Sequence, residues 1–360
     1  MKLNAALIGC GRIGYKKHIE AYAANREETN LVAVCDLVKE RAEKASEYYE
    51  RETGEKPIVL THYNELFELP IDWVSIATES GYHYPVAIEC LSQQKHVLVE
   101  KPMALSTADM GKMISKASER NVKLGVCFQN RFNPAVQELA RKIHEKAFGR
   151  IFTVTARVLW NRNSSYYQQA AWRGTWQFDG GTLMNQCAHN IDLLQWVMGD
   201  DVTRVYAAIR NYNHPALEVE DYGAAIINFK NGGIGVLEGT SNIYPENLEE
   251  TLSVFGETGT VVLGGLAVNK IQTWRFSGEK AHPFSSLPNP ESVYGSGHIP
   301  LFKDFCGAIR ENRTPFVSGE EGKKAVEIIL GIYRSCKERK PIDFPIGPFS
   351  STDMRGTILD

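Results

Sequence analysis

The chain has 360 residues, 43% of them hydrophobic and 23% charged, with a net charge of −3. That length exceeds what one hydrophobic core usually spans, so two domains are expected, and no basic excess offers itself to nucleic acid or to an anionic membrane. Seven cysteines are scattered without a CxxC pair, several within apolar runs such as LVAVCD; they read as reduced, buried thiols of a cytoplasmic protein, with no disulfide frame and no metal site.

The N-terminal MKLNAALIGCGRIG reads as a strand entering a glycine loop, not as a signal peptide, and no apolar stretch approaches the ~20 residues of a membrane helix. Over the first 125 residues strands and helices alternate. AALIGCG, LVAVCD, WVSIAT, HVLVEK and KLGVCFQ read as strands. HIEAYAANRE, VKERAEKASEYYERE, YPVAIECLSQQ and STADMGKMISKASERN read as the helices between them. This alternation predicts a doubly wound parallel sheet.

After Phe132 the pattern changes. A helix, AVQELARKIHEK, leads into strand-like runs: IFTVTARVLW, RVYAAIRNYN, YGAAIINFK, IGVLEGTSNIY, ETLSVFGETGTVVLGG and KIQTWRF. One helix, NIDLLQWVMG, is inserted early, and IPLFKDFCGAIREN and GEEGKKAVEIILGIYRSCKERK close the region. We expect an α/β protein: a Rossmann domain at 1–125, then an α+β domain with an open, largely antiparallel sheet at 126–345. The Pro-, Gly- and Ser-rich stretch 346–360 reads as a poorly packed tail.

Gly9-Cys10-Gly11-Arg12-Ile13-Gly14 matches GxGxxG between a strand and a helix. The first glycine makes the tight turn, the second lets backbone approach a pyrophosphate, and the third allows close helix packing. Asp36 ends the next strand, 22 positions beyond Gly14, close to the ~20 expected of a ribose-binding acid. A carboxylate there accepts both ribose hydroxyls of NAD and repels the extra phosphate of NADP, so NAD is the expected cofactor. Thr78 follows WVSIA at the same sheet edge and either caps the next helix or approaches the cofactor. His83 lies just beyond and joins the cofactor side of the site.

Glu100-Lys101-Pro102 closes a later strand at the same sheet edge, which puts Glu100 and Lys101 on the cofactor side of the expected site. A residue before proline avoids the helical region, so Lys101 stays extended at the tip, and a Lys–Pro bond adopts the cis form at modest cost. An ammonium beside a cationic nicotinamide ring has reason for a depressed pKa, and such a lysine can relay a hydroxyl proton while hydride leaves the same carbon. Further on, GGTLMNQCAH (180–189) precedes the helix NIDLLQWVMG. Asn185 and His189 are four apart, hence on one face of a helix, where an amide and an imidazole can bind a hydroxylated ring and move a proton.

With GxGxxG, Asp36 and EKP ahead of an open antiparallel sheet, the chain resembles the glucose–fructose oxidoreductase/inositol dehydrogenase (Gfo/Idh/MocA) family from about Leu3 to about Phe344. The resemblance implies that Lys101 is catalytic, that the Lys101–Pro102 peptide is cis, and that the open sheet mediates a homo-oligomer, dimer or tetramer. Members commonly carry Asp where this chain has Asn185, with His189 as partner acid/base. Asn185 binds a hydroxyl but accepts no proton, so proton transfer falls to Lys101 and His189.

FQNRFNPAV (128–136) supplies Gln129 on the cofactor side and Asn130 and Arg131 on the substrate side. WRGTWQFDGGTLMNQ (172–186) adds Trp172, Arg173 and Gln186, and Tyr166 and Tyr294 supply phenols. With NQxxH and YGSGH (294–298) these stretches look like the UDP-N-acetylglucosaminuronate 3-dehydrogenases of bacterial surface-polysaccharide (O-antigen) synthesis. That similarity implies oxidation of the sugar's 3-hydroxyl to a ketone, ahead of a transaminase and an acetyltransferase. In some relatives 2-oxoglutarate reoxidises bound NADH; release and recycling both stay open here. Arg173 or Arg131 is the expected partner of the sugar carboxylate. The alternatives are a free-sugar or inositol dehydrogenase with the same hydride step, and a non-catalytic NAD-binding regulator.

Overall fold

Trp73–Ile76 and Leu124–Cys127 are buried at every position, which requires a sheet covered on both faces. The computed structural model, which describes residues 2–277, 295–357 and 359, places them in a six-stranded sheet. Its strands are β1 (Leu3–Ile8), β2 (Thr29–Cys35), β3 (Ile58–Leu60), β4 (Trp73–Ile76), β5 (His96–Glu100) and β6 (Leu124–Cys127). They lie in the order β3-β2-β1-β4-β5-β6, all parallel. This is the doubly wound dinucleotide-binding order, whose switch point lies between β1 and β4. The edge strand β3 escaped the sequence reading: three residues, PIVL without its proline, give too short a run to show a period.

The second sheet is built on alternation. β7 (Ile151–Leu159), β8 (Val202–Arg210), β9 (Tyr222–Phe229) and β10 (Ile234–Thr240) are joined by β11 (Glu249–Gly256), β12 (Gly259–Gly264), β13 (Lys270–Phe276) and β14 (Ile342–Asp343). The order is β13-β12-β11-β7-β10-β9-β8-β14; only the β7–β10 pair is parallel. Inward residues such as Val154, Ala156 and Val158 meet the helix Ala188–Met198, which packs chiefly on β7. The run ETLSVFGETGTVVLGG is two strands, broken at Glu257-Thr258 into a hairpin.

The chain divides into two compact units, and neither is contiguous. The first comprises Met1–Ala104, Asp109–Phe128 and Gly297–Lys323; the second comprises Leu105–Ala108, Gln129–Ser296 and Lys324–Asp360. This corrects the expected boundaries. The helix His298–Arg310 belongs with the first unit because Phe302 and Phe305 stack on Trp73, at 5.6 and 5.4 Å between ring centroids. The expected loose tail is also corrected. Ser351 donates to the carbonyl oxygens of Leu105 and Trp176, at 2.9 and 2.6 Å, and Met354 is fully buried.

Candidate active site

At the end of β1 the chain turns through Gly9, whose φ is 95°. A Cβ there would lie 2.6 Å from the Ala77 carbonyl carbon, and one on Gly14 would lie 2.0 Å from the Gly9 oxygen, so both positions demand glycine. Gly11 differs: nothing lies within 4 Å of where its Cβ would be. The turn therefore presents bare backbone at a helix start, the cradle a pyrophosphate needs. Exposed Arg12 and half-buried Ile13 flank it.

Asp36 is fixed by two backbone donors, Cys10 N at 2.8 Å and Val38 N at 2.9 Å, one to each carboxylate oxygen. Each oxygen keeps a second lone pair for a ribose hydroxyl. Leu37, 81% exposed beside it, offers an apolar surface that the sequence reading passed over. Thr78 lies beside Gly9, its backbone nitrogen 2.7 Å from the absent Cβ. Its hydroxyl meets Glu79 O at 3.3 Å, and the helix Ser80–Ser92 starts from Glu79 without a side-chain cap, so the capping alternative is not realised. The residues at this edge fit a dinucleotide bearing free ribose hydroxyls.

At the tip of β5 the Lys101–Pro102 peptide is cis and Lys101 is half-buried. Glu100 turns the other way, which corrects its expected role at the cofactor. Its Oε1 accepts from His18 Nε2 and His298 Nε2, each at 3.1 Å, and its Oε2 accepts from Lys101 N at 3.2 Å. Burial opposes its charge, yet the bonds from His18 and His298 hold the carboxyl well below its ordinary range. Burial pulls His18 down, against the pull of Glu100, so this imidazole stays neutral. Its Nδ1 accepts from Ser75 Oγ at 3.1 Å. Burial pushes the adjacent Cys127 thiol well up, with help from Glu100. His83 is likewise reassigned. Its Nδ1 lies 2.7 Å from Pro102 O and its Nε2 3.1 Å from Thr78 O. Burial keeps the ring neutral, so its single N–H donates to one of these carbonyls and the imidazole sits buried between the tips of β4 and β5.

In the second unit, Asn185 and His189 do not share one helix as expected. The helix Gly181–Asn185 ends, and Ala188–Met198 begins after a break of two residues, where Cys187 N reaches back five residues to share Thr182 O with Gln186 N. Gln129 Nε2 donates to His189 Nε2 at 3.2 Å, which keeps the ring proton on Nδ1. Gln129, expected at the cofactor, is thus a neighbour of the imidazole. Asn185 donates to Asp179, a buried carboxylate that also accepts from Gly174 N at 2.7 Å. Glu220 accepts from Leu183 N at 2.8 Å and Tyr333 OH at 2.9 Å, under the first of these helices, and burial pushes its carboxyl up to about 8.

Four of the expected substrate residues converge. Arg173 donates to the Tyr166 hydroxyl, and its Cζ lies 4.2 Å from the Tyr166 ring centroid and 4.8 Å from that of Trp172. Gln186 donates to the same hydroxyl at 2.9 Å. A residue missed in the sequence, Arg162, completes the group, donating from Nε to Gln186 Oε1 at 3.0 Å and stacking on Trp160 and Tyr166. Burial holds the nearby Glu250 carboxyl well above the usual carboxylate range, against the pull of Asn190 and Arg162.

Residues 3–128 match the model of an oxidoreductase family with an NAD-binding Rossmann fold, and residues 136–262 match the GFO/IDH/MocA C-terminal domain. The chain belongs to the Gfo/Idh/MocA family. It is 35% identical to the WlbA dehydrogenase of Bordetella pertussis, solved with NADH and UDP-GlcNAcA, covering 96% of this chain and 99% of that one at a TM-score of 0.83. The WlbA dehydrogenase of Chromobacterium violaceum, solved with the same two ligands, is also 35% identical, covering 96% of each chain at a TM-score of 0.82. The scyllo-inositol 2-dehydrogenase (NAD(+)) of Bacillus subtilis is 24% identical over 96% of this chain and 97% of its own length. The protein is thus an NAD-dependent dehydrogenase of the sugar- and inositol-oxidising kind.

Within this Gfo/Idh/MocA chain, Arg131 is corrected as a substrate residue. Its Nε and Nη2 form a bidentate pair with Asp192, at 2.8 and 2.6 Å, and both side chains are 1% exposed. Asn130 is buried nearby in sequence, its Oδ1 meeting no partner among the described residues. Tyr294 lies outside the described residues. No described helix is long and apolar enough to cross a membrane.

Proposed function

We propose that the protein oxidises the 3-hydroxyl of UDP-N-acetylglucosaminuronate to the 3-keto sugar. The observation that carries this reading is Arg173. Its Nε is buried without an acceptor, and no carboxylate among the described residues lies within ion-pair reach of it. A neutral inositol has no use for such a guanidinium, whereas a uronate carboxylate completes it. The 35% identity to enzymes solved with that nucleotide sugar supports the same choice over the inositol dehydrogenases.

NAD, when bound, supplies the ring carbon that accepts hydride. Lys101 takes the hydroxyl proton, and His189, its tautomer set by Gln129, serves as the second proton-transfer group. Asn185 and Gln186 orient the ring hydroxyls and the acetamido group, and Tyr166 and Trp172 wall the sugar. We assign the reaction to the cytoplasm, as a step toward a surface-polysaccharide precursor. A second copy of the chain covers the open face of the eight-stranded sheet in a homo-oligomer.

The test is NADH formation by the purified protein with UDP-N-acetylglucosaminuronate, against inositols and hexoses. Turnover of the nucleotide sugar is expected; turnover of the neutral polyols alone rejects the reading. Lys101→Met is expected to keep NADH binding and to lose turnover by at least ~100-fold. Near-normal turnover in that variant removes Lys101 from the mechanism.

A further inference from the structure

Arg162 and Arg173 are held differently, and the difference is chemical. Arg162 commits Nε to Gln186 and Nη1 to Asn161 O and Asn247 Oδ1, at 2.6 and 3.2 Å. Its remaining N–H groups are on Nη2, an end-on donor. Arg173 commits only Nη1, to the Tyr166 hydroxyl, and keeps Nε and Nη2, the side-on pair of parallel donors. Arg131 shows what that edge takes in this protein, a carboxylate held through the same two nitrogens.

Both guanidiniums stack on one ring. Their Cζ atoms lie 5.1 and 4.2 Å from the Tyr166 centroid. The two charges are therefore no farther apart than those distances combined, comparable to the ~8 Å screening length at physiological salt. Both side chains are half-buried, and neither pairs with a carboxylate among the described residues. Two unneutralised cations this close repel each other unless anions are delivered to them.

We propose that Arg162, Tyr166 and Arg173 form a two-anion receptor, in which the side-on edge of Arg173 takes the sugar carboxylate and Nη2 of Arg162 takes the nucleotide diphosphate. The receptor deepens the function proposed above and rests on it. It makes the substrate requirement a matter of two separate anions: a uronic acid without the nucleotide, or a nucleotide sugar without the acid, satisfies half of the site. Tyr166 sets the spacing, since its ring and hydroxyl fix Arg173, and Gln186 links that hydroxyl to Arg162.

The test measures KM for UDP-N-acetylglucosaminuronate, and competitive inhibition by UDP and by UDP-N-acetylglucosamine, in the full-length wild type, Arg162→Gln and Arg173→Gln. NADH binding and thermal melting serve as the checks on folding. Losing a charged hydrogen bond to a ligand corresponds to about 10–100-fold in affinity. Arg162→Gln is expected to weaken UDP and both nucleotide sugars by that factor. Arg173→Gln is expected to weaken only the uronate, leaving UDP and UDP-N-acetylglucosamine within about twofold. An Arg162→Gln enzyme that binds UDP normally, or an Arg173→Gln enzyme that weakens UDP as much as the uronate, overturns the assignment. If the wild type oxidises inositols and is not inhibited by UDP, the function and the receptor fall together. If it oxidises the nucleotide sugar and the variants behave alike, only the receptor falls.

Discussion

His18 Nε2 donates to Glu100 Oε1 at 3.1 Å inside the first unit, and His298 Nε2 shares the same oxygen. The carboxylate at the root of EKP is thus anchored to two helices, and through Oε2 it holds the backbone N–H of Lys101. Glu100→Gln keeps the shape but removes the charge that two buried donors face. A loss of about 2–4 kcal/mol in urea unfolding is expected, with slower turnover as the lysine loosens. Unchanged stability would leave the anchor without energetic meaning.

The same pair sets the acid limb. Glu100 is depressed in the folded state, so its contribution is present above the ordinary carboxylate range and is lost as pH falls through it. His18 is also depressed, so below its ordinary 6.5 the unfolded chain binds protons that the folded one does not. Both effects favour unfolding on acidification. Melting temperature is expected to fall from about pH 6.5 downward, more steeply in wild type than in a His18→Gln, Glu100→Gln double variant.

Arg131 and Asp192 give a sharper separation of structure from function. Asp192→Asn leaves a buried guanidinium short of its partner, for which about 3–5 kcal/mol of destabilisation is expected. Replacing both, Arg131→Met with Asp192→Leu, is expected to recover most of it. Because Arg131 is withdrawn from the substrate, KM in the folded double variant should stay near wild type. A large rise in KM would return Arg131 to the site.

Much of the first unit was legible because its signals are local. Gly9, Gly11, Gly14 and Asp36 act through backbone geometry that sequence spacing encodes, and strand–helix alternation gave the parallel sheet. What spacing does not encode is pairing across the chain. His18 and His298 meet at Glu100 from positions far apart in sequence, and Arg131 finds Asp192 on a helix from the next region. Arg162 was passed over because one arginine in a polar–aromatic loop carries no period. The 346–360 stretch misled through composition: its serines cap and donate rather than loosen.

Glu220 yields a pH prediction of opposite sign. Its folded pKa is raised to about 8 by burial, so the neutral form is favoured in the folded state. The stability it confers is complete below the ordinary 4.5 and declines as pH rises toward 8, because unfolding releases a proton there. Glu220→Gln is neutral throughout. Both proteins share the acid limb set by His18 and Glu100, so the difference is the readout. The wild type's melting temperature is expected to fall relative to that of Glu220→Gln as pH rises from 5 to 8.5, by an amount worth a few kcal/mol in unfolding free energy. Parallel curves for the two proteins would show that Glu220 is already charged at neutral pH.

The outward face of the eight-stranded sheet makes the last prediction. Thr155, Val236, Ile226 and Tyr206 are register partners in one row across β7, β10, β9 and β8, and the last three are 37%, 50% and 53% exposed. Phe255, Thr153 and Ile234 form the neighbouring row. Arg157 borders the first of these rows on its far side, paired with Glu238 and Glu249 at 3.0 Å each. An apolar band bordered by both signs of charge is complementary to a two-fold copy of itself, which is the proposed occupant. Ile226→Glu places a charge in the middle of that band, where a second copy would have to bury it unpaired. Sedimentation or light scattering is expected to show an oligomer for wild type and a smaller species for the variant, with the melting of the protomer little altered. Equal masses for the two proteins would assign this face to solvent.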